Sequence, residues 1–412
     1  MGIAIRVISL LLCGIKLRKM KGAILLVSFF VAMVASGQTY LDSTVNSAMK
    51  RVLFANPNEF SIGSYGEAHY NQTITENSFS NGKVDLHRVI MYMGYKFNDR
   101  LQFFSETEFE HVKEVYVEQA FMNYSYNSLF NIKAGIILIP MGFVNEFHEP
   151  TLFNGVERPN VDKYIIPSTW SEMGLGLHGL IKRANVKYQI YAVNGFKGYD
   201  GSAKITGAGL RSARQKGAEA LIRTPSLTGK LTFFGLNGLR LGLSGYYGSS
   251  ESSMYNGLER EDEGAVDQAD STRVGIAMTA LNLQYTIGKF QFTAVGNCTK
   301  LSNTQSYNEF TGSNAANTIF GYYGELSFRQ SIRKNNTYPQ VIPFLRYENY
   351  DTHYKVDANI IKNEAYHREE LTLGLGYQMT PGTIVKADYQ WVKNGANARP
   401  FNVLNVGFGF WF

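Results

Sequence analysis

Cysteine is nearly missing: there are two in 412 residues, which excludes a disulfide-dense scaffold. Proline is sparse, at ten. Charged residues make up only 18 % of the chain and apolar ones 44 %, a balance too greasy for intrinsic disorder. Acidic residues are absent from the first 37 positions, which hold five of the 40 Lys and Arg residues (Arg6, Lys16, Arg18, Lys19 and Lys21). The remainder carries 35 basic residues against 34 acidic ones. The basic character therefore sits in the leader, and the rest of the chain offers no charge argument for a nucleic-acid partner. Long hydrophobic runs are also missing. Beyond position 37 no uncharged apolar stretch reaches the roughly 18 residues of a membrane helix, so a helical membrane protein is excluded.

What is present begins with an export signal. Met20-Lys21 precedes an uncharged run rich in Leu, Val, Phe and Ala from Gly22 to Ala35, and Ala35-Ser36-Gly37 supplies small residues for cleavage before Gln38. A charged start, a short apolar centre and a small-residue exit read as a cleaved signal peptide over 1–37, with Met20 as the expected true start. An uncleaved anchor is the alternative. Cys13 lies inside this segment. Over 38–58 the spacing of Leu41, Val45, Ala48, Met49, Val52 and Leu53 reads as a short helical leader.

From residue 59 onward the dominant signal is alternation with period two. Leu404, Val406, Phe408, Phe410 and Phe412 share one face, opposite Asn405, Gly407 and Gly409. Leu371, Leu373, Leu375 and Tyr377 oppose Glu370, Thr372, Gly374, Gly376 and Gln378. Such segments recur at about 59–70, 83–97, 101–110, 115–126, 130–138, 172–182, 185–195, 228–235, 239–249, 272–287, 289–301, 318–329, 340–351, 369–379, 383–392 and 403–412, which is sixteen strands. Asn98-Asp99, Asn127-Ser128, Asn237-Gly238 and Pro381-Gly382 read as tight turns, and 197–227 and 250–271 as long loops. A soluble sandwich would show the same alternation strand by strand. Three features favour a membrane barrel instead: aromatics at strand ends, charges in mid-strand on the polar face, and a chain that finishes on an aromatic strand. In hydrocarbon an open sheet edge is not tolerated, so the sheet must close. The expected fold class is an all-β, transmembrane antiparallel barrel of about sixteen strands over 59–412.

The stretch from 139 to 171 breaks the alternation. It carries four prolines and no periodicity, and a structureless loop of that length is usually functional. Its ionisable residues are Glu146, His148, Glu149, Glu157, Arg158, Asp162, Lys163 and, at the strand that follows, Glu172. Folded into a barrel, such a loop would narrow the bore.

This segment, with Leu86-His87-Arg88, Phe97-Asn98-Asp99-Arg100, the Glu-x-Glu-x-Glu run of Glu106, Glu108 and Glu110, and Val117-Glu118-Gln119-Ala120, resembles the phosphate-selective porin O/P family. The resemblance covers most of the chain after the leader and is densest over 83–179. It implies a sixteen-stranded outer-membrane porin, usually a homotrimer, whose third outer loop constricts the channel. That assigns constriction to 139–171 and to Glu146, His148, Glu149, Glu157, Arg158, Asp162 and Lys163. It further implies lipid and lipopolysaccharide as surroundings and small hydrophilic solutes or inorganic anions as cargo.

Strand parity places Glu106, Glu108, Glu110, Arg240, Arg329, Arg346, Lys386 and Asp388 on the pore wall, with Glu325 and Glu348. Interleaved charge of both signs filters by size and dipolar fit more than by sign. Arg158, Lys163, Arg211 and Arg214 form a candidate anion site; bracing of the loop, through Glu157 or Asp162, is the other reading of Arg158. No nucleophile elbow, phosphate loop or paired-histidine metal spacing occurs. The expectation is no catalytic residue, no metal and no cofactor, with a surface-adhesive barrel or a barrel-rim hydrolase as alternatives. His148-Glu149 is the one His-acid pair in the loop.

Overall fold

The computed structural model describes residues 55–76, 78–334, 336–396 and 400–412. The segments expected as a signal peptide (1–37) and as a helical repeat (41–53) lie outside the described residues.

Sixteen strands run in chain order around a cylinder: β1 (Phe60–Ile74), β2 (Lys83–Lys96), β3 (Leu101–Glu110), β4 (Glu114–Ser125), β5 (Asn131–Leu138), β6 (Ser171–Ile181), β7 (Val186–Val193), β8 (Ser226–Leu236), β9 (Leu239–Ser249), β10 (Gly275–Ile287), β11 (Phe290–Ser302), β12 (Thr318–Phe328), β13 (Gln340–Lys355), β14 (His367–Thr380), β15 (Thr383–Asn394) and β16 (Phe401–Trp411). Each pairs antiparallel with its sequence neighbour. β16 then pairs with β1, from Tyr65 opposite Trp411 to Ile74 opposite Asn402, and the sheet closes. Closure gives every strand two partners and leaves no edge of bare N–H and C=O groups. All sixteen expected segments form strands within a few residues of their expected bounds.

The turns follow their residues. Asn98 Oδ1 accepts from the backbone N–H of Arg100 and Leu101, and Asn127 Oδ1 from Leu129 and Phe130. These side chains mimic a backbone turn, which is why asparagine sits there. Gly238 adopts φ 73°, which the two-residue connection between β8 and β9 requires. On the opposite rim the connections are long. They hold helix α1 (Glu263–Ser271), started by Asp262 accepting from Ala265 N–H, and helix α2 (Thr304–Thr311). Neither helix stands out in the sequence, since both are short and polar.

The two faces of the sheet differ as the alternation demands. Leu175, Ile190, Leu231, Leu243, Leu281, Leu326, Leu345, Leu373, Val385 and Phe408 point outward, all 40 % exposed or more. Such a continuous apolar belt far exceeds what a soluble monomer shows water. Inward-facing Gln102, Gln189, Lys230, Asn282, Glu325, Thr372, Asp388 and Asn405 are buried. Ring pairs Tyr95–Phe97 and Phe290–Phe328 mark the rim where the chain ends meet.

Among the described residues the strand pairing slips register in several places, two of them at residues that face the inward loop. Pairing of β1 with β2 slips between Glu67 and His69, and pairing of β3 with β4 slips between Glu106 and Thr107. At the second slip Glu118 and Gln119, adjacent in sequence, are both buried. A bulge re-aims side chains in this way.

Candidate functional site

The loop between β5 and β6 folds into the cylinder. Its neck is tied by Asn145, whose amide donates to the carbonyls of Ile139 (2.7 Å) and Trp170 (3.0 Å) and whose Oδ1 accepts from Trp170 N–H (2.8 Å). Trp170 is fully buried, stacked on Phe196 with Tyr246 beside it. Its indole N–H donates to Glu172. Glu172, at the start of β6, also accepts from Asn194 and from Gln215 N–H. This one carboxylate therefore joins the inward loop to the long connection between β7 and β8.

From that neck the loop reaches nearly every side of the wall. Lys230 on β8 pairs with Glu146 (2.5 Å) and donates to Gly142 carbonyl, while Gln189 on β7 donates to Glu146. Arg240 on β9 lies over the rings of Phe143 and Phe147. On the far wall, Arg88 donates to His148 carbonyl (2.6 Å). Asn154 donates to Glu325, Lys386 to Phe153 carbonyl, and Arg346 to the carbonyls of Asn154 and Glu157. Val156 N–H donates to Asp388 and Val161 N–H to Glu348. A loop cannot supply its own ladder, so the wall's charged residues satisfy its backbone.

The glycines of β16 have a part in this. A side chain at Gly409 would collide with Pro150, and one at Gly407 would stand 2.9 Å from Val156. Both positions face the lumen, and only glycine leaves room for the loop.

The residues expected at the constriction separate into two groups. Glu146, His148, Glu149 and Asp162 are packed between loop and wall. Glu157, Arg158 and Lys163 instead line a cavity of about 70 Å³, together with Glu67, His69, Glu108, Glu110 and Arg211. Arg158 stands 3.9 Å from Glu67, and Glu157 pairs with His69 at 3.1 Å. Arg211 and Arg214 both donate to Ser168 carbonyl. Burial holds both guanidinium groups below arginine's usual value, with Arg158 adding to the effect at Arg211 and Arg211 at Arg214.

Of the residues placed on the wall by parity, Glu106, Arg346, Lys386 and Asp388 are fully enclosed; Glu108 and Glu110 border the cavity; Arg240 contacts the loop. Arg329 follows β12 at the turn rim. Sequence reasoning did not find Glu67, Arg88, Glu118 or Lys230. Lys230 obeys the alternation of β8 and was legible in principle. Arg88 and Glu118 sit at bulges, where parity fails.

Histidines and carboxylates from separate elements meet in three places among the described residues: Asp85 with His87 and His111, Glu106 with Glu118 and His148, and Asp351 with Glu364 and His367. No spacing in the sequence announces any of them.

No protein-family model matches the chain. Among solved structures, it resembles the anion-selective porin from Comamonas acidovorans (TM-score 0.55, 12 % identity, 86 % of this chain and 100 % of that one). It also resembles OmpF of Salmonella typhi (TM-score 0.55, 13 %, 86 % and 98 %) and a loop-deletion mutant of the outer-membrane protein OmpT of Vibrio cholerae (TM-score 0.54, 10 %, 87 % and 100 %). At these identities the likeness is one of fold. In sequence it is 32 % identical over 346 residues to an uncharacterised protein of Aquifex aeolicus, covering 80 % of this chain and 74 % of the relative. The chain thus belongs to one family with that Aquifex aeolicus protein, and it folds as the outer-membrane porins do.

Proposed function

We propose that the chain is a channel of the bacterial outer membrane through which small hydrophilic solutes and ions diffuse passively, with the 139–171 loop as its constriction. The observation that carries this is the combination of a closed cylinder, apolar outside and polar inside, with a long loop folded into it. At the cavity beside the loop, Arg158, Lys163 and Arg211 face Glu67, Glu108, Glu110 and Glu157. Opposed charges set a transverse field that orients a solute without holding it, since a deep well would slow exit. Transport assigns no bond-making role to any residue.

The finer reading is a relative of the phosphate-selective porins that passes inorganic anions, exported by the cleaved signal peptide and assembled as a homotrimer among lipid and lipopolysaccharide. Three cations at one cavity support it, and the four carboxylates beside them oppose a strong preference for anions.

The test is reversal potential across a planar bilayer in asymmetric salt, with and without phosphate. A conducting pore is expected, and the double change Arg158→Glu with Lys163→Glu should move the reversal potential toward cations. Folded protein that never conducts would end the channel reading. A conducting pore indifferent to the double change would place selectivity away from this cavity.

A further inference from the structure

The seat of the loop against β3 and β4 holds carboxylate charge that the surrounding cations do not neutralise. Glu67 takes the Arg88 guanidinium at 2.6 Å, Glu108 lies 3.8 Å from the same group, and Arg158 is 3.9 Å from Glu67. Arg88 also holds His148 carbonyl. Glu106 and Glu118 remain, both almost fully buried. Glu106 Oε2 accepts from Gln119 at 2.6 Å, but its Oε1 receives no hydrogen bond, and neither does either oxygen of Glu118. An isolated carboxylate buried in this way is strongly unfavourable unless a cation or proton meets it.

His148 completes the group. Its Nδ1 is 3.2 Å from the carbonyl of Asn145, which can only accept, so Nδ1 carries a proton. The other nitrogen, Nε2, is 2.8 Å from the Tyr65 hydroxyl and 3.4 Å from Glu118 Oε2. In the neutral ring Nε2 is a lone pair aimed beside an anionic oxygen. A ring N–H given to a backbone carbonyl, with the second nitrogen turned toward carboxylates, is the usual arrangement of a metal-bound histidine; here that nitrogen also accepts from the Tyr65 hydroxyl. One atom each of Glu106, Glu118 and His148 falls within 4.8 Å of the others.

From this geometry we infer that Glu106, Glu118 and His148 form a binding site for a divalent transition-metal cation of the Zn²⁺ type. The imidazole nitrogen argues against Ca²⁺ or Mg²⁺, which prefer oxygen alone, and one nitrogen with two carboxylates suits Zn²⁺, Co²⁺ or Mn²⁺. A cation on Nε2 would have to displace the Tyr65 hydroxyl from that nitrogen or take its oxygen as a further ligand. Because Glu106 and Glu118 belong to the wall and His148 to the loop, the cation would fasten one to the other. The bulge that turns Glu118 inward beside Gln119 builds the site. The competing account is a doubly protonated His148 pairing with Glu118, with Glu106 protonated and no metal.

The experiment uses the full chain folded in detergent, stripped with a chelator, exposed to Zn²⁺, gel-filtered and assayed for metal. One equivalent of Zn²⁺ per chain is expected, with X-ray absorption showing one imidazole among oxygen ligands. Glu118→Gln and His148→Gln should each weaken uptake by more than about 100-fold, since even a ligand's supporting partner is worth 10–100-fold. His111→Ala, at the separate Asp85–His87–His111 cluster, should leave that equivalent in place. Heat-shifted gel mobility checks that each variant is folded, and the wild-type absorption spectrum does not depend on any variant. No uptake, a spectrum with two imidazoles, uptake that survives Glu118→Gln and His148→Gln in folded protein, or uptake lost in His111→Ala would each overturn the site. The site does not rest on conduction: zinc binding in a barrel that never conducts would keep this inference and remove the channel.

Discussion

Asn145→Ala should loosen the neck of the inward loop while leaving the cylinder intact. The side chain makes three hydrogen bonds across the point where the loop leaves β5 and returns to β6. Ile139 carbonyl keeps a second donor in Met141 N–H, and Trp170 carbonyl keeps Ile139 N–H, so neither is orphaned. Trp170 N–H has Asn145 as its partner and becomes a buried donor with none. One orphaned donor costs about 1–3 kcal/mol, and two lost bonds about 0.5–1.5 kcal/mol each. The seated loop would therefore lose roughly 2–6 kcal/mol relative to unseated arrangements. At about 1.4 kcal/mol per tenfold, the unseated population rises about 30-fold at the low end and about 20,000-fold at the high end. Hydrogen exchange by mass spectrometry over 139–170 should speed up in that range, and single-channel records should gain excursions to higher conductance. Strand amides should exchange as before. Wild-type exchange across the loop, in a variant confirmed to lack the amide, would refute the claim that this residue holds the neck.

Further consequences follow from the wall and the belt. Lys230→Met leaves Glu146 buried without its cation; a loss of about 3–5 kcal/mol is expected in denaturant unfolding, and Glu146→Gln in the same chain should recover part of it. An additive double change would mean the 2.5 Å pair contributes no coupling. Gly409→Val drives a side chain into Pro150, and overpacking of this kind costs about 1–3 kcal/mol; the temperature of the electrophoretic mobility shift should fall, and an unchanged one would mean the loop does not rest on β16. Leu373→Arg puts a charge in the middle of an outward face, at a cost of about 2–4 kcal/mol in lipid; folding yield into vesicles should drop, and equal yield would contradict a lipid-facing belt.

The barrel was legible because it is written in short-range pattern. Leucine at 371, 373 and 375 against Thr372, Gly374 and Gly376 needs only the pleat of a strand to choose its sides. Asparagine and glycine at the turns act through their own backbone, so the hairpins could be read locally as well. A chain with no apolar run long enough for a helix, alternating over sixteen segments, has closure as its one way to pair every backbone group in hydrocarbon.

The site was legible only in outline. An aperiodic, proline-rich stretch at 139–171 identified the loop. Which of them meet solvent was decided by packing: Glu146 disappears against Lys230, while Lys163 looks into the cavity. Parity also fails wherever a bulge adds a residue, so Arg88 and Glu118 could not be placed inside by counting. Sequence alone determined the greasy and wet faces, the strand number and the one loop that departs from them, because each depends on neighbours two or a few residues apart. Only the tertiary structure decided that Glu106, Glu118 and His148 meet, because that contact joins two strands and a loop through a bulge that leaves no trace in the order of residues.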